Sequence, residues 1–243
     1  MHAYHQVFVA VGVIDAIALA LTLYIVYVLL KLNKLLGMRS LMLVFVGYMV
    51  FSIGLGLSIA SSMLVIFYGP SQPRGHPTLV LGAYGRGPLP GEELALRIGF
   101  TAWNILGYSS IVYAISYLLV LSGLILSRYK ALGYKDVEEK SSRTSILATM
   151  TPITVLEAAQ PIVQSSYLLI IGDSISLIAL ASIVFFHCGY LRGRLGYLLL
   201  LASHAIRLLA VIATSPWILV AAELVRPFGL ILIATALVGA SRK

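Results

Sequence analysis

Between positions 7 and 30 the chain carries a single charged side chain, Asp15, and this pattern recurs along its length: long apolar stretches alternate with short segments that hold most of the charge. An apolar run of about 20 residues is what an α-helix needs to cross about 30 Å of hydrocarbon. In that medium every backbone N–H and C=O has to find its partner inside the segment, which favours helix. Seven such stretches can be placed, at about 7–30, 41–68, 94–127, 145–163, 167–190, 195–213 and 217–239. The expected fold is therefore all-α, a polytopic integral membrane protein built as a seven-transmembrane-helix bundle, with residues 1–243 forming a single transmembrane domain. Composition agrees. Hydrophobic residues make up 60% of the 243 positions and charged residues 11%, against roughly 25% charged in an ordinary soluble domain.

The position of the charges sets the expected orientation. Twelve of the 17 Lys/Arg fall in segments that share one side of this arrangement: Lys31, Lys34 and Arg39, the 128–143 loop, Arg192 and Arg194, and Arg242 and Lys243. The excess of Lys/Arg in cytoplasmic loops places that side inside. The N-terminus is then outside and the C-terminus cytoplasmic, in a multi-pass protein of the cell membrane. The net charge of +8 is accounted for by this bias, so the expected partner is the lipid bilayer, with no nucleic acid. The cytoplasmic loops offer a place for a protein partner. The stretch at 7–30 is longer than the apolar core of a secretory signal and is expected to be retained. A single cysteine, Cys188, allows no intrachain disulfide.

The outer loop 69–91 holds five of the nine prolines, which excludes continuous helix; its centre, from Thr78 to Gly87, has the composition of a small hairpin. On the second stretch Ser52, Gly56 and Ala60 stand four apart, a small-residue spacing that lets helices approach closely in lipid. A faint internal echo is also present. Asp15 and Asp173 each open an apolar helix that is followed by a basic turn, so helices 1–3 and 5–7 read as parallel repeats joined by helix 4, a layout found in some small transporters.

The residues that bear on function are the polar ones placed in oil: Asp15, Asn104, Glu157, Asp173, His204, Arg207, Glu223 and Arg226. On insertion scales a charge at mid-helix costs roughly 2.5–3.5 kcal/mol, and such groups face the bundle interior and pair with one another. Counted at about 1.5 Å per residue, all of them fall in the outer half or near the midplane. The last two helices are antiparallel across a tight turn, so Arg207 stands level with Glu223 and His204 level with Arg226. Within each helix the two are three apart and share a face. Arg207 is expected to pair with Glu223, leaving Arg226 to reach Asp15 or Asp173. Four carboxylates face two Arg, so one acid has to be protonated, pair with His204, or bind a cation.

Two readings of this layer follow. In one it is a polar clamp that locks helices together. In the other it lines a polar cavity in the outer half of the bundle that takes a small polar or cationic ligand, making the chain a small-ligand or ion sensor or transporter. A non-catalytic membrane-anchor or channel subunit of a larger complex is the alternative, and a haem-b electron-transfer subunit a second one. For haem, His187 and His204 are the intramembrane candidates, and their levels differ too much for one iron. A retinal linkage would need a lysine in the last helix, which has none before Lys243. The aromatic residues Trp103, Tyr108, Tyr113 and Tyr117 crowd the third helix and are expected to serve packing and interface anchoring, with a Tyr108 hydroxyl in the polar layer as the alternative. No nucleotide-binding loop, His-Glu-x-x-His or nucleophile-elbow pattern is present, so no enzyme activity, metal or cofactor is expected.

Overall fold

The structure, a computed structural model, describes residues 2–68, 90–131, 165–186, 191–213 and 215–241. Over these residues the chain is helical: α1 (His2–Leu36), α2 (Arg39–Tyr68), α3 (Pro90–Ala131), α4 (Ser165–Phe186), α5 (Leu191–Ile212) and α6 (Pro216–Ser241). Six helices are long and apolar enough to cross a membrane, and the chain is a multi-pass membrane protein. They correspond to six of the seven stretches expected. The stretch at 145–163, the hairpin expected within 69–91, the loop residues 132–143, and Glu157, His187 and Cys188 lie outside the described residues.

The helices run beyond their apolar stretches because backbone signals, and not the hydrocarbon edge, end them. Helix α1 continues through Lys31 and Lys34 and stops at Gly37, which adopts φ 59° and donates its N–H to the Asn33 carbonyl at 2.8 Å. Only glycine takes up that left-handed conformation at little cost. Helix α6 opens on Pro216, whose missing N–H would have had no helical partner in any case.

Each helix packs against two neighbours, in the order α1, α2, α3, α4, α5, α6 and back to α1. The six form a closed ring. Helices α2 and α3 are antiparallel, with Gly47 against Val120 and Gly54 against Tyr113. Helices α3 and α4 run parallel: Ser110 bonds Asp173 at 2.7 Å, and further along both helices Arg128 lies over the Phe186 ring at 5.8 Å. The inward faces form one apolar core around Ile25, Leu29, Phe51, Leu55, Leu180, Ile183, Leu200 and Leu230. Outward faces carry Ile17, Tyr27, Ile53, Phe67, Ile178 and Phe185, all exposed, as a lipid-facing surface requires.

A ring in this order relates α1 to α4, α2 to α5 and α3 to α6 by a half-turn about its axis, and several residues follow that relation. Asp15 on α1 matches Asp173 on α4; both are fully buried. Gly47-Tyr48 on α2 matches Gly196-Tyr197 on α5. Gly47 seats against Val120 of α3, and Gly196 against Ile233 of α6. The Tyr48 and Tyr197 hydroxyls meet at 3.1 Å, where the two halves face each other.

The close helix approaches do not use the spacing that sequence suggested. Gly56 would carry a Cβ with nothing within 4 Å, Ser52 is half-buried and Ala60 exposed, because that face of α2 turns away from the bundle. Gly47 and Gly54 make the contact on the inward face. A close approach of backbone to backbone is at Gly172, where a Cβ would meet the Ser110 backbone carbon at 2.7 Å and the Ile111 nitrogen at 2.8 Å. Backbone cannot yield as a side chain can. We therefore expect Gly172→Ala to destabilise the bundle by about 1–3 kcal/mol, the usual range for overpacking. Gly56→Ala, in open space on a helix, should be neutral or stabilising by up to about 1 kcal/mol. Thermal unfolding of the two variants in one detergent checks the contrast; equal midpoints would refute it.

Candidate functional site

Six charged or titratable side chains meet inside the ring, and all six are 0% exposed: Asp15, Asp173, His204, Arg207, Glu223 and Arg226. Helix α6 presents Glu223 and Arg226 one turn apart, and they touch at 2.5 Å. The same Arg226 nitrogen, Nη1, donates to Asp15 Oδ1 at 2.9 Å, which ties α6 to α1. One turn apart on α5, His204 and Arg207 both reach α4. His204 Nδ1 lies 2.8 Å from Asp173 Oδ1, and Arg207 Nε lies 3.4 Å from Asp173 Oδ2. Arg207 Nη1 stands 3.6 Å from Glu223 Oε1 and joins the two halves of the layer.

Helices α2 and α3 contribute hydroxyls. Ser58 of α2 donates to Asp15 Oδ2 at 2.5 Å. On α3, Ser110, Tyr113 and Tyr117 stand on one face, at spacings of three and four. Ser110 donates to Asp173 Oδ1 at 2.7 Å. Both guanidinium groups lie over the Tyr113 ring, with Arg226 Cζ 4.8 Å and Arg207 Cζ 5.7 Å from its centroid. A π-face attracts a cation, and more so when both are desolvated. Tyr117 Oη lies 3.1 Å from His204 Nε2, so the imidazole is held at both nitrogens. The Phe51 ring packs against Tyr113 and Tyr117 at 5.0 and 5.5 Å and forms an apolar floor on that side.

Of the eight residues singled out from sequence, the structure brings six together. The Arg207–Glu223 contact lies where the antiparallel levels put it, and Arg226 reaches Asp15. His204 turns to Asp173 and Tyr117; equal level with Arg226 says nothing about which way a ring rotates. Asn104, half-buried on α3, stands outside this network among the described residues, two turns from Ser110. Glu157 lies outside the described residues. Tyr113 and Tyr117 carry the hydroxyls of α3 that enter the layer, whereas Tyr108 is only half-buried. Ser58, Ser110, Tyr113 and Tyr117 were not foreseen as members. The 110/113/117 periodicity on one helix face was the signal that could have found the last three.

The layer is rich in ion-pair contacts and poor in hydrogen bonds. Among the described residues, Arg207 Nε, Nη1 and Nη2, Arg226 Nε and Nη2, both Glu223 oxygens and Asp173 Oδ2 are buried with no hydrogen-bond partner. Arg207 touches its carboxylates within ion-pair reach but without hydrogen-bond alignment. In a hydrocarbon-enclosed site such groups are costly, because each unmade bond carries a desolvation penalty of roughly 1–3 kcal/mol, more for charged groups. The arrangement offers carboxylate oxygens to a cation, or donors and acceptors to a small polar molecule, at the centre of the ring.

Comparison with models of protein families, with curated proteins and with solved structures gives no match.

Removal of one partner from a buried pair leaves the other uncompensated, at about 3–5 kcal/mol. Arg226→Leu strands both Asp15 and Glu223, so a loss at the upper end of that range, or failure to fold, is expected. The double variant Arg226→Leu/Glu223→Gln should recover a good part of the loss. Thermal unfolding of single and double variants gives the coupling, and additive effects would mean that the contacts carry no energy.

Proposed function

We propose that this chain is an ion- or small-ligand-responsive membrane protein, a sensor or transporter, whose binding site is the charged layer at the centre of the helix ring. One observation carries the reading. Three buried carboxylates, Asp15, Asp173 and Glu223, face two guanidinium groups, Arg207 and Arg226, all 0% exposed. Among the described residues, and with His204 neutral, the layer is one positive charge short. A net charge in a low-dielectric interior is expensive, and a proton or a small cation brings the layer to balance. Both Glu223 oxygens and Asp173 Oδ2 are in ion-pair contact but make no aligned hydrogen bond, which leaves lone pairs that such a ligand can engage. Intramembrane ionisable groups mark ion and proton pathways in membrane proteins generally.

The surrounding topology belongs to the same proposal. Helices α3 and α4 run parallel, so the chain has to recross the membrane between them, within residues 132–164. The apolar stretch at 145–163 supplies that crossing and makes seven. With seven crossings, the basic segments share one side, which supports a cytoplasmic C-terminus, an outward N-terminus and residence in the cell membrane.

The test is thermal unfolding of purified protein with sodium, ammonium or guanidinium chloride as probes at matched ionic strength, and across pH. Occupancy at 100 times the dissociation constant stabilises by about 2.7 kcal/mol. For a domain of this size that is roughly 5–10 °C in Tm. We expect at least one cation, or the proton, to give such a rise in the wild type. Glu223→Gln removes the excess negative charge and should abolish the response. A Tm indifferent to every cation and to pH would reduce the layer to a structural clamp and defeat the proposal.

A further inference from the structure

We propose that the cation balancing this layer is a proton, seated on the His204 imidazole between Asp173 and Tyr117; the inference rests on the ion-binding reading above. His204 is the one group in the layer that adds a positive charge by taking up a proton at a basic nitrogen. With an imidazolium in place, three carboxylates face two guanidiniums and one imidazolium, and the layer is neutral.

The geometry accommodates both states of the ring. Nδ1, 2.8 Å from Asp173 Oδ1, keeps its N–H directed at the carboxylate throughout. Nε2, 3.1 Å from the Tyr117 hydroxyl, is the site of exchange. In the neutral ring Tyr117 donates its O–H to Nε2. When a proton adds to Nε2, the new N–H donates to the Tyr117 oxygen and the phenol hydrogen rotates away. The N–H bond at Nε2 forms as an O–H bond of a hydronium ion breaks and water leaves, and the Tyr117 hydroxyl serves first as donor and then as acceptor. A hydroxyl can make that exchange, whereas a carbonyl or an ammonium cannot.

The groups facing His204 come from every side. Asp173 of α4 is in direct contact. From α3 come Tyr117 and Tyr113, the latter with ring centroids 5.9 Å apart from His204. Arg207 lies one turn on along α5 and is itself held by Asp173 and Glu223. From α6, Arg226 is neutralised by Glu223 and by Asp15 of α1. The Tyr48–Tyr197 hydroxyl pair is the next polar contact along α5, two turns from His204. Arg226 is thus answered by Glu223 and Asp15, Arg207 shares Asp173 with the imidazole and Glu223 with Arg226, and Asp173 is the carboxylate in direct contact with the ring.

Solution NMR of the full-length protein, labelled with 15N-histidine and held in lipid nanodiscs, tests this. Loss of signal in His204→Gln assigns the His204 ring nitrogens. We expect one titration of those nitrogens between pH 4 and 9, with both nitrogens protonated at the acid end. Asp173→Asn should displace the midpoint by at least about one pH unit, and Tyr117→Phe should change the Nε2 signal of the neutral ring while the titration survives. If Asp173→Asn does not fold, Ser110→Ala, which removes one hydrogen bond to the same carboxylate, should displace the midpoint by about half a unit. His204 signals constant from pH 4 to 9, or a midpoint unmoved by these variants, would overturn the proton seat. If a cation still raises Tm under those conditions, the ion-binding reading stands and only the proton assignment falls; if nothing raises Tm, both fall.

Discussion

The structure depends on the cost of keeping charge in a place without water. Three carboxylates, two guanidiniums and an imidazole cannot be left singly on helices that face lipid, because each would carry its own desolvation penalty. They can be accommodated together, and only where their helices converge. That requirement explains the ring. Asp15 and Asp173 are on α1 and α4, while the cations that answer them are on α5 and α6, so no adjacent pair of helices could satisfy the layer alone. Hydroxyls from Ser58, Ser110, Tyr113 and Tyr117 bring in α2 and α3. Glycine then sets how close the helices come. At Gly172, Gly196 and Gly47 an added Cβ would collide with a neighbour's backbone or with a buried side chain, and wider spacing would lengthen the ion pairs.

Much of this was legible in the sequence, and the reasons are physical. Hydrocarbon thickness imposes a minimum length on an apolar stretch, so the six described helices could be placed to within a few residues at their apolar ends. Charge in oil is rare enough to mark itself, which singled out the three carboxylates, the two arginines and the histidine of the central layer, but not its hydroxyls. Depth along a helix is a matter of counting, and it paired Arg207 with Glu223. Rotation about a helix axis is harder to read. The Ser52/Gly56/Ala60 spacing looked like a packing face and is turned outward, while Gly47 and Gly54, seven apart, do the packing. Tyr113 and Tyr117 were read as packing residues for the same reason: apolar and aromatic residues occur all round α3, so periodicity barely distinguishes its faces.

The half-turn relation between α1–α3 and α4–α6 extends into the charged layer, where it is broken in an informative way. Counting ten residues on from the paired tyrosines leads from Tyr48 to Ser58 and from Tyr197 to Arg207, and each of these meets the aspartate of its own half. Counting back ten from Val120 and Ile233, which seat the paired glycines, leads to Ser110 and Glu223. Counting back seven leads to Tyr113 and Arg226. Equivalent positions thus hold hydroxyls in one half and charges in the other.

That division of labour bears on which half can change state. Hydroxyls satisfy neighbours without altering their own charge, so α2 and α3 act as a constant polar wall. In the proposed proton seat, the group that changes charge is His204 of α5. Helix α6 alone carries an internal proline, Pro227, next to Arg226. Proline lacks the N–H that would bond four residues back, so the Glu223 carbonyl has no helical partner in the turn whose side chains form the Glu223–Arg226 ion pair. A helix with a missing rung bends there more readily than its neighbours. The missing backbone rung therefore falls beside Glu223 and Arg226, at the level of the charged layer.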